Sequence, residues 1–175
     1  MKKILALAAT MLFAASMSFA QSGSTSPTNI LSVVVGPEGG LTIGGSGTTN
    51  LVTTGNFANY TGTTAMTYYI RTTETGGTGT ITEKVTTDFA PAGGPSAASA
   101  TDPLTYGCTV ALPGTACTGP VTASTTSSTS VATFGAAAHS AKAGNSASVA
   151  WALVDDPVYK TNTYTATVTF TISAS

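Results

Sequence analysis

The stretch Thr163-Tyr164-Thr165-Ala166-Thr167-Val168-Thr169-Phe170-Thr171-Ile172 decides the fold. Tyr164, Ala166, Val168, Phe170 and Ile172 share one parity, and every residue between them is Thr. A β-strand sends successive side chains to opposite faces, so this stretch has one apolar face and one hydroxyl face. A helix would scatter the same five residues around its circumference. Thr is β-branched and suits a pleated surface even against water. The pattern predicts a core-lining, paired strand of an antiparallel sheet, wet on one side, with Val168, Phe170 and Ile172 buried.

The same alternation recurs upstream. Residues 146–154 place Val149, Trp151 and Leu153 on one face, which assigns Trp151 to the core. Residues 64–73 place Met66, Tyr68 and Ile70 on one face and Tyr69 on the less apolar one. Residues 74–79, rich in Gly and Thr, read as a hairpin connection, after which 80–89 return with Ile81, Val85 and Phe89 inward. Glu83 shares that apolar parity, which marks a wet or bulged end of the face. Shorter strands are expected over 30–35, 41–43, 50–54, 104–110, 121–126 and 131–134, with Phe57 and Tyr60 packing from a loop. Gly and Pro clusters punctuate them, and 90–103 form a long connection. The fold class is all-β, an antiparallel Ig-like β-sandwich, with a small β-barrel as the structural alternative.

Residues 1–20 read as a secretory signal peptide: Lys2 and Lys3, an apolar run over 4–13, then Ser18-Phe19-Ala20 before a cut. No Cys sits at that cut, so no lipid anchor is expected. Residues 21–29 form a polar, flexible N-terminal arm, and 30–175 a single sandwich domain. No later stretch is long and apolar enough to span a bilayer, so no transmembrane segment is expected after signal removal. The product is expected to be secreted, at the cell surface or periplasmic.

Charged residues make up only 7% of the chain, and beyond residue 20 the cations are Arg71, Lys84, Lys142 and Lys160 against seven carboxylates. That balance argues against nucleic acid as a partner, because phosphates need cationic partners. The two cysteines, Cys108 and Cys117, flank Ala111-Leu112-Pro113-Gly114, and in an exported chain they read as a disulfide closing a hairpin or loop.

Catalytic chemistry lacks its parts. His139 has Ser140 beside it in sequence but no orienting acid, and it reads as a solvent-exposed loop residue. Asp155-Asp156-Pro157 lacks the spacing of a Ca²⁺ loop and reads as a turn. Glu74, Glu83 and Asp88 lie on one expected hairpin, not across a cleft, and read as solubilising charges. No catalytic, cofactor-binding or metal-binding residue is assigned, no cofactor is expected, and the chain is not read as an enzyme. Among the aromatics, Tyr69 is the exposed candidate for a surface-binding contact.

Trp151-Ala152-Leu153, followed by residues 164–172, resembles the C-terminal pattern of bacterial WxL-type cell-surface domains. A second Trp-x-Leu closes the chain in that family, and Phe170-Thr171-Ile172 stands in its place here. The tail is also similar in style to secreted fimbrial and spore-coat-like sandwich subunits. The resemblance, confined to the C-terminal stretch, implies a non-catalytic, exported Ig-like surface protein. The expected function is therefore structural or adhesive, at the surface or in the extracellular matrix, with the chain as a polymerising subunit. A small secreted carbohydrate-binding module is the alternative. Expected partners are the chain itself, other surface proteins, or polysaccharide.

Overall fold

The computed structural model describes residues 28–175. The chain divides into two units, Met1–Val33 and Val34–Ser175. The expected signal peptide and most of the expected arm over 21–29 lie outside the described residues. In the first unit, residues 28–33 hold no strand and are exposed.

The second unit is an antiparallel β-sandwich. Its strands are β1 (Glu38–Ile43), β2 (Tyr60–Arg71), β3 (Gly79–Ala90), β4 (Thr105–Val110), β5 (Thr115–Ala116), β6 (Val121–Thr122), β7 (Thr129–Phe134), β8 (Asn145–Leu153) and β9 (Thr165–Ala174). One sheet has the order β1-β2-β8-β4-β6 and the other β5-β7-β3-β9. The sheets keep separate edges, so the barrel alternative does not apply. No helix among the described residues is long and apolar enough to cross a membrane.

Alternation explains the core. Met66, Tyr68 and Ile70 of β2, Ile81 and Val85 of β3, and Val149, Trp151 and Leu153 of β8 all turn inward and are buried. Tyr68 stacks at a tilt on Phe134, with centroids 5.1 Å apart, and Tyr106 on Trp151 at 5.3 Å. Offset and tilted ring pairs of this kind add to the stabilisation from burial itself. The Trp151 indole N–H donates to Thr64 Oγ1 at 2.8 Å, which satisfies its one polar atom inside the core.

Several expectations require correction. Residues 30–35 are not a strand; β1 instead begins at Glu38 and runs through the glycines expected to end that strand. Gly39 permits this, because a Cβ there would lie 3.3 Å from Ile172 Cγ1. Residues 50–54 contribute a single bridge, Val52 to Thr61. Phe57 does not pack inward: it is 64% exposed and holds a φ of 52°. The link after β2 is not a hairpin. β2 pairs with β1 and β8, β3 with β7 and β9, so the chain crosses between sheets there. An arch buries the apolar faces of β2 and β3 against each other, which alternation alone cannot distinguish from a hairpin.

β9 is paired with β3 but stands at a sheet edge. Val168, Phe170 and Ile172 face the core and are only half-buried, less than expected. The disulfide forms as expected, with S–S 1.99 Å and Cα–Cα 5.5 Å. It joins β4 of one sheet to the residue after β5 of the other, so it clips the two sheets together instead of closing a hairpin.

Candidate functional site

One concave surface lies at the edge of the five-stranded sheet. It is an open groove of about 470 Å³ lined by Glu38, Gly39 and Gly40 of β1, Tyr69 and Arg71 of β2, and His139, Ser140 and Lys142 of the loop before β8. Tyr69 reaches it because alternation turns it away from buried Tyr68 and Ile70. It is 42% exposed. Its hydroxyl donates to the Ala143 carbonyl at 3.2 Å. The loop comes this close through Gly144, whose φ of 81° favours glycine and where a Cβ would lie 2.9 Å from Tyr69 Cζ.

The loop is held by backbone pairing. Thr72 donates its N–H to the Ala138 carbonyl and Ser140 to Ile70, each at 2.9 Å. Ser140 Oγ accepts the Ile70 N–H at 3.0 Å, so this hydroxyl anchors the loop. His139 Nδ1 lies 3.0 Å from the Ala137 carbonyl and donates to it. The neighbouring Ser and His are therefore each engaged with backbone and do not form a nucleophile–base pair. Arg71 spans the groove's rim: Nη2 meets Glu38 Oε2 at 2.9 Å and Nε donates to the Gly36 carbonyl at 2.7 Å. The pair is exposed, and such pairs contribute little stability. Two of the four cations beyond residue 20, with the histidine, thus converge on one shallow surface beside an aromatic ring.

The carboxylates read as solubilising divide into different roles. Glu83 is fully buried, not at a wet end of its strand. Thr129 donates its hydroxyl to Glu83 Oε1. Oε2 has no hydrogen-bond partner among the described residues. Burial pushes this carboxyl above its ordinary value, and the Thr129 hydrogen bond only partly opposes that. The Tyr106 hydroxyl donates between Thr129 Oγ1 at 2.8 Å and the Ser130 carbonyl at 2.9 Å. Burial pushes Tyr106 up to about 12, with the Glu83 charge acting the same way and the Thr129 hydrogen bond opposing. Asp88 is a clasp for the long connection. It accepts from Phe89 N at 2.8 Å, Ala97 N at 2.7 Å and Ser96 Oγ at 2.6 Å. Burial raises its carboxyl, but these hydrogen bonds outweigh that and hold it below the usual range. Glu83 and Asp88 thus sit in separate hydrogen-bond networks and do not face one another across an open cleft.

Asp156 accepts the Val158 N–H at 2.9 Å, the turn role expected of it. No group of three or more His, Cys, Asp or Glu residues is placed to hold a metal among the described residues. Among the described residues, the other exposed aromatic side chain, Phe57, precedes β2, whereas Tyr69 lies near its far end, so the two do not form one platform.

The segment expected as the first strand, residues 30–35, is instead an exposed apolar run. Ile30, Leu31, Val33, Val34 and Val35 are 90, 89, 83, 94 and 62% exposed. Their β-branched run signalled a strand, and no strand forms over these residues. Comparison with protein-family models, curated proteins and solved structures finds no match.

Proposed function

We propose that the chain is an exported, non-catalytic structural or adhesive protein of the cell surface or extracellular matrix, and that it works as a self-associating subunit. One observation carries this reading: five large apolar side chains within residues 30–35 are exposed, while the sandwich has its own core. Contiguous exposed apolar surface is costly in water and marks an interaction site. The outward faces of β2, β3 and β9, rich in Thr, suit an external role by being soluble with almost no charge. The inter-sheet disulfide suits an oxidising compartment. Sedimentation velocity of the exported chain over a hundredfold range of concentration tests the reading. Species larger than a monomer, growing with concentration, are expected; a monomer throughout contradicts it.

The carbohydrate-binding alternative draws on Tyr69, whose partly exposed ring borders a groove with Arg71, His139 and Lys142. Retardation in gels containing polysaccharide, lost in Tyr69→Ala, supports it; equal mobility of both proteins in every polysaccharide opposes it.

A further inference from the structure

We propose that the groove beside Tyr69 binds an acidic polysaccharide, with one sugar ring on the face of Tyr69 and its anionic group toward Arg71 and Lys142. This rests on the carbohydrate-binding reading and names the class of sugar.

Two glycines build the aromatic platform. Gly40 is the cross-strand partner of Tyr69, and directly paired residues share one face of a sheet. A Cβ at Gly40 would lie 3.7 Å from Tyr69 Cβ and 3.8 Å from Cδ2, so any side chain there would stand against Tyr69. Glycine leaves that flank bare. On the β8 side, the Gly144 backbone closes on the ring, and the Tyr69 hydroxyl is bonded to the Ala143 carbonyl. The ring is thus held from one side and open on the other, so a ligand need not order it. Such a ring suits the apolar C–H face of a sugar, while polar groups around it fix orientation.

The same face carries the charge. Arg71 follows Tyr69 by two residues on β2 and so points the same way. It is paired with Glu38 on one side and His139 on the other. Bonds from Nε to the Gly36 carbonyl and from Nη2 to Glu38 orient the guanidinium, and Nη1 has no partner among the described residues. Lys142 sits in a turn closed by the Gly144 N–H on the Ala141 carbonyl at 2.9 Å. The Ala141 N–H also donates to Asn145 Oδ1 at 2.8 Å. Lys142 is exposed and makes no ion pair among the described residues. Beyond residue 20, the groove holds two of four cations and one of seven carboxylates, which leaves two cations against six carboxylates elsewhere. A local excess of positive charge on an acidic chain favours an anion there. The adjoining hollow shares Arg71 and His139 but adds Glu74 and no further cation, so the anion belongs on the Lys142 side.

The test measures binding of the purified chain to surfaces carrying polygalacturonate, its full methyl ester, dextran sulfate or polyglutamate. Binding to polygalacturonate, dextran sulfate or both is expected, which identifies the anionic group, with far weaker binding to the ester and to polyglutamate. Lys142→Glu changes an exposed, unpaired side chain, and Gly40→Val places a side chain against Tyr69 at ordinary contact distance. Each should weaken binding about fivefold or more. If the ester binds as tightly as the acid and Tyr69→Ala abolishes both, the carbohydrate reading stands and this inference is overturned. If polyglutamate binds as tightly, or Gly40→Val binds as the wild type does, charge alone is being read and this inference is overturned. If none of the polysaccharides binds, both fall.

Discussion

The two rims of the sandwich are built differently. Where β4 meets β5, Cys108 and Cys117 tie one sheet to the other. Where β1 meets β9, Gly39 packs against Ile172, and no disulfide crosses among the described residues. The clipped rim ends in strands of two residues, too short to template another chain. The open rim ends in a ten-residue strand with an uncharged edge. One rim is covalently closed, and the other leaves an edge of β9 without a neighbouring strand among the described residues.

The centre of the molecule sets the scale for that contrast. Trp151→Ala on β8 removes a buried ring that lies against Tyr106 and Phe170, together with the indole N–H that donates to Thr64 Oγ1. A loss of about 3–5 kcal/mol is expected in urea denaturation. At the clipped rim, replacing both cysteines by Ser should cost about 2–3 kcal/mol by the loop-entropy estimate for a loop of this length. At the open rim, Phe170→Ala should cost about 1–2 kcal/mol in the monomer, because the ring is only half enclosed. A Phe170 loss as large as that of Trp151 would mean that the open rim is closed in solution.

A further test concerns slope with pH. Buried Glu83 pairs across β3–β9 with Phe170, and burial raises its carboxyl above the ordinary value of 4.5. The folded chain therefore keeps a proton that the unfolded chain has released. Stability should fall as pH rises from about 4.5 toward the folded value, and level off above it. Glu83→Gln should remove that fall while leaving the acid-side loss due to Asp88, whose carboxyl is held low and whose contribution disappears as pH drops through its folded value. Urea midpoints measured from pH 3 to 8 check both signs. Smallest of all, Thr169→Ala on the exposed face should change monomer stability by less than about 0.5 kcal/mol.

The faces of the strands were legible in the sequence because a strand's own backbone sets its alternation. Met66, Tyr68, Val149 and Trp151 fall inward as that rule requires. What a strand pairs with was not legible. β8 and β9 alternate alike, yet β8 has neighbours on both sides and β9 on one, a difference set by segments far away in the chain. The arch after β2 and the unpartnered run over 30–35 were misread for the same reason: local pattern announces a strand and is silent on its neighbour. Glu83 was placed on the right parity, but its burial depends on Thr129, 46 residues away. Tyr69 was legible as exposed, whereas the loop that makes a groove beside it was not.

Residue-resolved amide exchange on β8 and β9 tests the central contrast most directly. In dilute protein, the account predicts slow exchange throughout β8. On β9, Thr169 and Thr171 should be protected, and Val168, Phe170 and Ile172 should exchange fast. Uniform protection of β9, or fast exchange throughout β8, would contradict it.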